Sequence, residues 1–482
     1  MLALLLIVTA RCTRAGPIDS PATETTLRVG FPETGSAGAL NGARQLVQIL
    51  STEGLIRIGE DGRPLPSLAE RWILSADGLS MAIHLRNGVK FHDGSPLNAV
   101  TVSTALRQVL PQFMGPAFDD IDKIEPAGDS EIAITFRRSS PFLVEALEAP
   151  IQKPGSSGIG TGPYMAGGPN APDELRANPT YYLGKPAIDR IVVSTFPSIR
   201  SAWAEMLRDR IDMLYEVGLD GLDSLTSARN VSVFTYVRHY QFVLAFNTQA
   251  PQLRSREVRR ALNEGIDRDA LVRDALAGRA IPSRGPIWPQ HWAFSADSPG
   301  FAFDPQAAAK TLTRVSPSHS LRFTCLVRPD LERVALVMQR QLHAIGVEMD
   351  IRATSLDDIL LAVEKRDFDA VLNEYVSGPS LFRPYVVWRS GGLVNPGGLG
   401  TPSIDAALDQ VRYATNDNQY RAAVEGFQQA IVDDPPAIFL AWSERARAVN
   451  RRFDVAAEPG RDILTTLRSW RPANDLQSVG RN

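Results

Sequence analysis

Residues 68–100 read LAERWILSADGLSMAIHLRNGVKFHDGSPLNAV, and almost every position among them is a local instruction. Ser75-Ala76-Asp77-Gly78 is a turn signal. Beyond it Met81, Ile83 and Leu85 alternate with Ser80, Ala82, His84 and Arg86. That period of two belongs to a strand with one buried face. Asn87-Gly88 supplies the positive-φ residues of a tight hairpin turn, after which Val89 and Phe91 resume the apolar face. Asp93-Gly94 turns the chain again. Asn98 is placed to cap a helix whose Val102, Ala105, Leu106, Val109 and Leu110 share one side.

Outward from this stretch the chain alternates strands and helices. Leu27 to Gly30 is a first strand, followed by a glycine-rich loop to Gly42 and a helix through Gln45 to Leu50. A second strand pattern lies at Glu131 to Phe136, with a helix over Phe142 to Ala149. Ile188 to Ser194 is a strand and Trp203 to Arg208 helical. The clearest unit is strand Leu321 to Val327, then a helix with Val334, Met338, Leu342 and Ile345 along one side, then Gly346 and strand Val347 to Ile351. A parallel pair with a helical crossover implies an α/β sheet covered by helices. Helices near 403–414 and 418–433 and a strand from Ala437 to Trp442 follow.

Composition bounds the class. The 482 residues are 44% hydrophobic, enough to bury several cores, and the net charge of -3 gives no footprint for nucleic acid. Cys12 and Cys325 form no disulfide framework, and Cys325 in LRFTCLV reads as a small buried hydrophobe. No internal run approaches the roughly 18 to 20 apolar residues of a membrane helix. Residues 1–15, opening MLALLLIVTA, read as an export signal, with cleavage near Ala15. Cys12 raises a lipid anchor, although Arg11 fits a lipobox poorly.

The order and wording of the motifs carry more than any one of them. Pro66, Leu68-Ala69-Glu70, Trp72 and Phe91-His92-Asp93-Gly94-Ser95-Pro96 resemble the signature of the family 5 solute-binding proteins, receptors of peptide/nickel-type ABC importers. Gly160-Thr161-Gly162-Pro163-Tyr164, Asn178-Pro179 with Tyr181-Tyr182, and Gly184-Lys185-Pro186 resemble its following elements. So do Phe246-Asn247-Thr248, the segment Val258 to Arg268, and Phe303-Asp304-Pro305. The resemblance runs from about residue 27 to the C-terminus, with residues 150–159 and 165–177 shorter than the family's usual segments.

It implies an α/β, periplasmic-binding-protein-like fold of type II: two hinged lobes, with an extra small domain inserted in the first. Lobe I would comprise 24–57, 158–243 and 445–482, the insert 58–157, and lobe II 246–440, with the chain crossing near 243–249 and 440–446. It implies an exported monomeric receptor that captures a peptide or other peptide-sized solute between the lobes and hands it to permease subunits. The receptor would need no cofactor and would meet the membrane only through the permease or a lipid on Cys12. The alternative from another class is a secreted hydrolase on an α/β scaffold. Against it, the chain has no G-x-S-x-G, H-E-x-x-H, C-x-x-C or Walker loop. Gly158-Ile-Gly-Thr-Gly162 lacks phosphate-loop spacing, His92-Asp93 sits in a turn, and the six histidines show no metal-ligand spacing.

In the family's peptide-binding members an aspartate four residues before a proline pairs with the ligand's α-amino group. Here Tyr375 stands four residues before Pro379, and no acid occurs from Tyr375 to Ile404. Glu374 is one residue away, which in an extended chain points to the other face. A desolvated ammonium needs a charge partner, so the expected ligand lacks a free α-amine and carries a carboxylate or phosphate that an arginine could fork. The candidate site residues are Tyr375, Arg383, Tyr385, Trp388 and Arg389, with Trp288 and Trp292 from IPSRGPIWPQHW and Glu33 from the loop after the first strand.

Overall fold

The computed structural model describes residues 24–473 except 33–37, 157, 169–170, 172, 219–220, 298, 316–320, 393–394 and 396–400. The leader, Cys12 and Glu33 lie outside the described residues.

One eleven-stranded sheet runs through the molecule. From one edge its strands are Val347–Ala353, Leu321–Val327, Ala370–Val376, Val231–Phe246, Ala437–Asn450, Met213–Leu214, Thr26–Pro32, Arg190–Phe196, Glu174–Ala177 and Tyr164–Ala166. Ala280–Pro282 joins beside Ala437–Asn450. Leu321–Val327 and Val347–Ala353 pair in parallel around the helix Glu332–His343, which buries Val334, Met338 and Leu342 against them. Gly346, at φ 82°, ends that crossover.

Val231–Phe246 and Ala437–Asn450 are antiparallel neighbours and belong to both halves of the sheet. The pairs Val231↔Asn450 to Val237↔Glu444 lie on the side of Met213–Leu214 and the N-terminal strand; Gln241↔Trp442 to Ala245↔Ala437 lie on the side of Ala370–Val376. Between Val237 and Gln241 the register slips. A local loss of ladder bonds is where a sheet bends at least cost. Both strands outrun their continuous apolar runs, because the ladder continues through mixed polar and apolar stretches such as Ser443 to Asn450.

Residues 69–136 build a separate four-stranded antiparallel sheet, in the order Ala69–Leu74, Ser80–Leu85, Glu131–Phe136, Ile121–Pro126. The helix Ala99–Met114 backs it, with Asn98 and Thr101 forming a reciprocal capping box. One turn differs from the sequence reading. Gly88 does take φ 76°, and Val89 and Phe91 are buried. No strand follows it, however. Both edges of Ser80–Leu85 are occupied, by Ala69–Leu74 and Glu131–Phe136, so Val89 to Leu97 closes on itself as a small loop. The hairpin turn is Ser75 to Gly78.

The helix Pro141–Glu145 continues as a tighter turn, Ala146–Glu148. It sits where three parts of the molecule meet. A single apolar core joins residues of the small sheet and its helices (Ile83, Leu106, Phe142) to Phe382, Tyr385, Leu408 and Phe427 of the far half. The N-terminal half has its own core around Leu27, Ile191 and Trp470.

Candidate functional site

Of the sequence-derived candidates, Arg383, Tyr385, Trp288 and Trp292 reach partners in residues 58–157, across the seam between those residues and the half containing Ala370–Val376. Tyr375, Trp388 and Arg389 pack within that half. Tyr375 lies opposite Gln241 and is 9% exposed; burial pushes its phenol up. Its ring is 6.0 Å from that of Trp388, which stacks edge-on to Phe439 at 5.1 Å. Glu374 projects to the other side, where Arg445 (2.7 Å) and Arg238 (3.6 Å) neutralise it. Tyr385 packs against Phe142 of the small sheet's side at 5.1 Å, and its hydroxyl accepts from Arg412. Trp288 donates from Nε1 to the Glu60 carbonyl (2.8 Å) and packs between His239 and Trp442. Trp292 stacks on Tyr420 at 5.1 Å, with the Arg63 guanidinium 3.5 Å from its ring centre.

The two arginines expected to fork a ligand anion are already engaged. Arg389 holds Asp409 through Nε and Nη2 at 3.1 and 3.2 Å. Arg383 pairs with Glu148 across the seam. Each charge, once desolvated, has found a carboxylate of the same chain.

The seam's other polar groups escaped the sequence reading. The loop Gly59 to Arg63 inserts between Trp288 and Trp292, and the Trp292 amide donates to the Asp61 carbonyl at 2.9 Å. Gly62 adopts φ 79°, and a Cβ there would stand 2.4 Å from the His291 ring, so only glycine fits. Burial opposes ionisation of Glu60, but His239 (2.8 Å) and Arg461 (3.3 Å) outweigh it and hold that carboxyl below its ordinary range. Burial drives the His291 imidazole down to about 4, so it is neutral at ordinary pH. Arg412 reaches Asp120 at 2.8 Å with both side chains under one-tenth exposed.

Glu145 is buried; it accepts from the Phe382 amide at 3.1 Å and from the Tyr420 hydroxyl at 3.4 Å. A signal for it did exist. Phe142-Leu-Val-Glu-Ala-Leu-Glu148 is apolar around nearly the whole helix, and an acid on such a helix is buried.

The arrangement closes by hydrogen bonds and ion pairs that reach from one side to the other. Among the described residues no group of three or more His, Cys, Asp or Glu converges as metal ligands, and no helix is long and apolar enough to cross a membrane.

Residues 63–392 match the family model of the bacterial extracellular solute-binding proteins, family 5. The chain belongs to that family. Among curated relatives, it is 24% identical over 358 residues to a probable di/tripeptide-binding protein 5 of Pseudomonas aeruginosa, covering 64% of this chain and 67% of that one. It is 23% identical over 436 residues to the glutathione-binding protein GsiB of Pectobacterium atrosepticum, covering 83% and 84%. Among solved structures, NikZ of Campylobacter jejuni in complex with Ni(L-His) superposes with a TM-score of 0.81 at 22% identity, over 92% of this chain and 99% of that one. The oligopeptide-binding protein AppA of Bacillus subtilis, with a nonapeptide, gives 0.77 at 19%, over 93% and 99%.

The fold is therefore that of a type II periplasmic binding protein of mixed α/β content with two lobes. As a family 5 member the chain is a solute-binding protein of the ABC-importer type and not an enzyme. The comparisons speak for the receptor and not for the secreted hydrolase.

Proposed function

We propose that this family 5 protein is exported and captures a solute lacking a free α-amine at the seam, closing on it and presenting the closed form to permease subunits. In this reading lobe I is residues 24–57, 158–243 and 445–482, the insert 58–157 and lobe II 246–440. The register slip between Val237 and Gln241 is the hinge. The acting form is an extracytoplasmic monomer, free or held by a lipid on Cys12. Tyr375, Trp388, Trp288 and Trp292 supply apolar contact area, with Arg383, Tyr385, Arg389 and Glu33 around them.

One observation carries the ligand class. Where an ammonium would need a carboxylate, the chain presents Tyr375, and the neighbouring acid, Glu374, is already neutralised by Arg445 and Arg238. Relatives are named for di/tripeptides and glutathione, and a structural neighbour holds Ni(L-His), so the fold accepts several ligand chemistries. The test is a thermal-shift screen of protein unfolded and refolded to strip any bound solute. Unmodified di- to pentapeptides, N-acetylated peptides, chelated nickel, oligosaccharides and organic anions would be compared. A ligand at a hundred times its Kd adds about 2.7 kcal/mol. Stabilisation by N-blocked peptides or non-peptides alone is the expected result. Micromolar or tighter binding of unmodified peptides would overturn the ligand class, and turnover of a bound solute would overturn the receptor.

A further inference from the structure

The helical turn Pro141–Glu148 brings two carboxylates, Glu145 and Glu148, into the seam, and among the described residues one guanidinium pairs with them. Arg383 pairs with Glu148. Glu145, 6% exposed, has the Phe382 amide and the Tyr420 hydroxyl as its hydrogen-bond donors, with the Ser380 hydroxyl beside it. Among the described residues no second cation pairs with Glu145. Arg63 is committed to Asp417. His291, stacked 6.0 Å from Tyr420, is held neutral. His239, which acts on Glu148, is hydrogen-bonded to Glu60.

A carboxylate placed so far from water without a counter-ion is costly, and the group takes a proton instead. Burial accordingly raises the Glu145 carboxyl to about 7, and burial also raises that of Glu148 against the pull of Arg383. Every partner of Glu145 outside its own helix lies on the far side of the seam. Opening the seam returns the carboxylate to water and to its ordinary acidity.

We propose that closing the seam takes up a proton on the Glu145–Glu148 pair, so that mild acid holds the receptor shut and mild alkali loosens it. The inference rests on the two-lobe closure proposed above and makes that closure pH-dependent. The sign follows from linkage: the closed form binds more protons than the open form, so closure is favoured below neutrality and weakens as pH rises through about 7. Between pH 8 and pH 5.5 the closing equilibrium shifts by roughly tenfold or more.

The test is small-angle scattering of the ligand-free full chain, so its outcome does not depend on whether the solute screen succeeds. The wild type is expected to have a larger radius of gyration at pH 8 than at pH 5.5. Glu145→Gln keeps the shape, carries no charge and, like the protonated acid, accepts on one side and donates on the other; it is expected to stay compact at both. Glu148→Gln frees Arg383 for Glu145; with that counter-ion the closed form tolerates the ionised carboxylate, so closure is expected to persist to higher pH and the pH dependence of the radius to shrink. Superimposable pH curves for wild type and Glu145→Gln would overturn the proposal, as would a wild type whose radius does not change with pH.

Discussion

Arg412 and Asp120 meet with their side chains 6% and 9% exposed, and the guanidinium also serves the Tyr385 hydroxyl. Removing one member of such a pair strands a buried charge. Arg412→Met is therefore expected to cost about 3–5 kcal/mol in urea unfolding, whereas replacing both charges with apolar residues should cost far less. A single-variant loss under about 1 kcal/mol would mean that water reaches Asp120. Cys325 makes the opposite case, a reactive group silenced by packing. It is fully buried and its thiol is pushed up to about 12. A thiol reagent at pH 8 is expected to leave it unmodified until the chain unfolds; labelling located at Cys325 in the folded protein would contradict its placement. Its burial was legible in LRFTCLV, because an apolar strand leaves a cysteine nowhere else to go. The roles of Arg383 and Arg389 were not legible. Nothing local shows that Glu148 and Asp409 will arrive beside them from other elements.

Elements whose instructions are short-range were read most faithfully. The crossover unit from Leu321 to Ala353 and the cap at Asn98 follow from residues within a few positions of each other. Asn98→Ala is expected to destabilise the protein by about 1 kcal/mol through the lost cap, measured as a lower urea midpoint at unchanged slope. Asn87-Gly88 shows the boundary of that legibility. Gly88 takes the expected positive φ and Asn87 does not, and whether a strand follows depends on which edges are free. Glu131–Phe136, far along the chain, had already taken the edge. The crossing strands were under-read for a similar reason: Ala437 to Trp442 is the continuous apolar run, and the strand goes on beyond it. The remainder to Asn450 mixes Ala and Val with charged and polar residues, and is buried from Ala446 on because neighbouring strands cover it.

At the scale of the molecule, the small sheet and the far half share one apolar core even though they are separate in sequence. They are therefore expected to unfold together. Hydrogen exchange in increasing urea should show Ser80–Leu85, Glu131–Phe136 and Phe382–Trp388 opening with one common free energy. Separate values for the two sides would mean that the seam contributes little. The burial of Glu145 had a local signal in its apolar helix, but its partners Phe382 and Tyr420, which dock from distant segments, did not. The crossing strands also impose an order of events. Val231–Phe246 leaves the ribosome long before Ala437–Asn450, its ladder partner, and the N-terminal core waits longer still for Trp470. Pairings so distant form slowly. Neither half can complete its sheet until nearly the whole polypeptide has been synthesised, so the nascent chain stays without its central ladder for most of its synthesis.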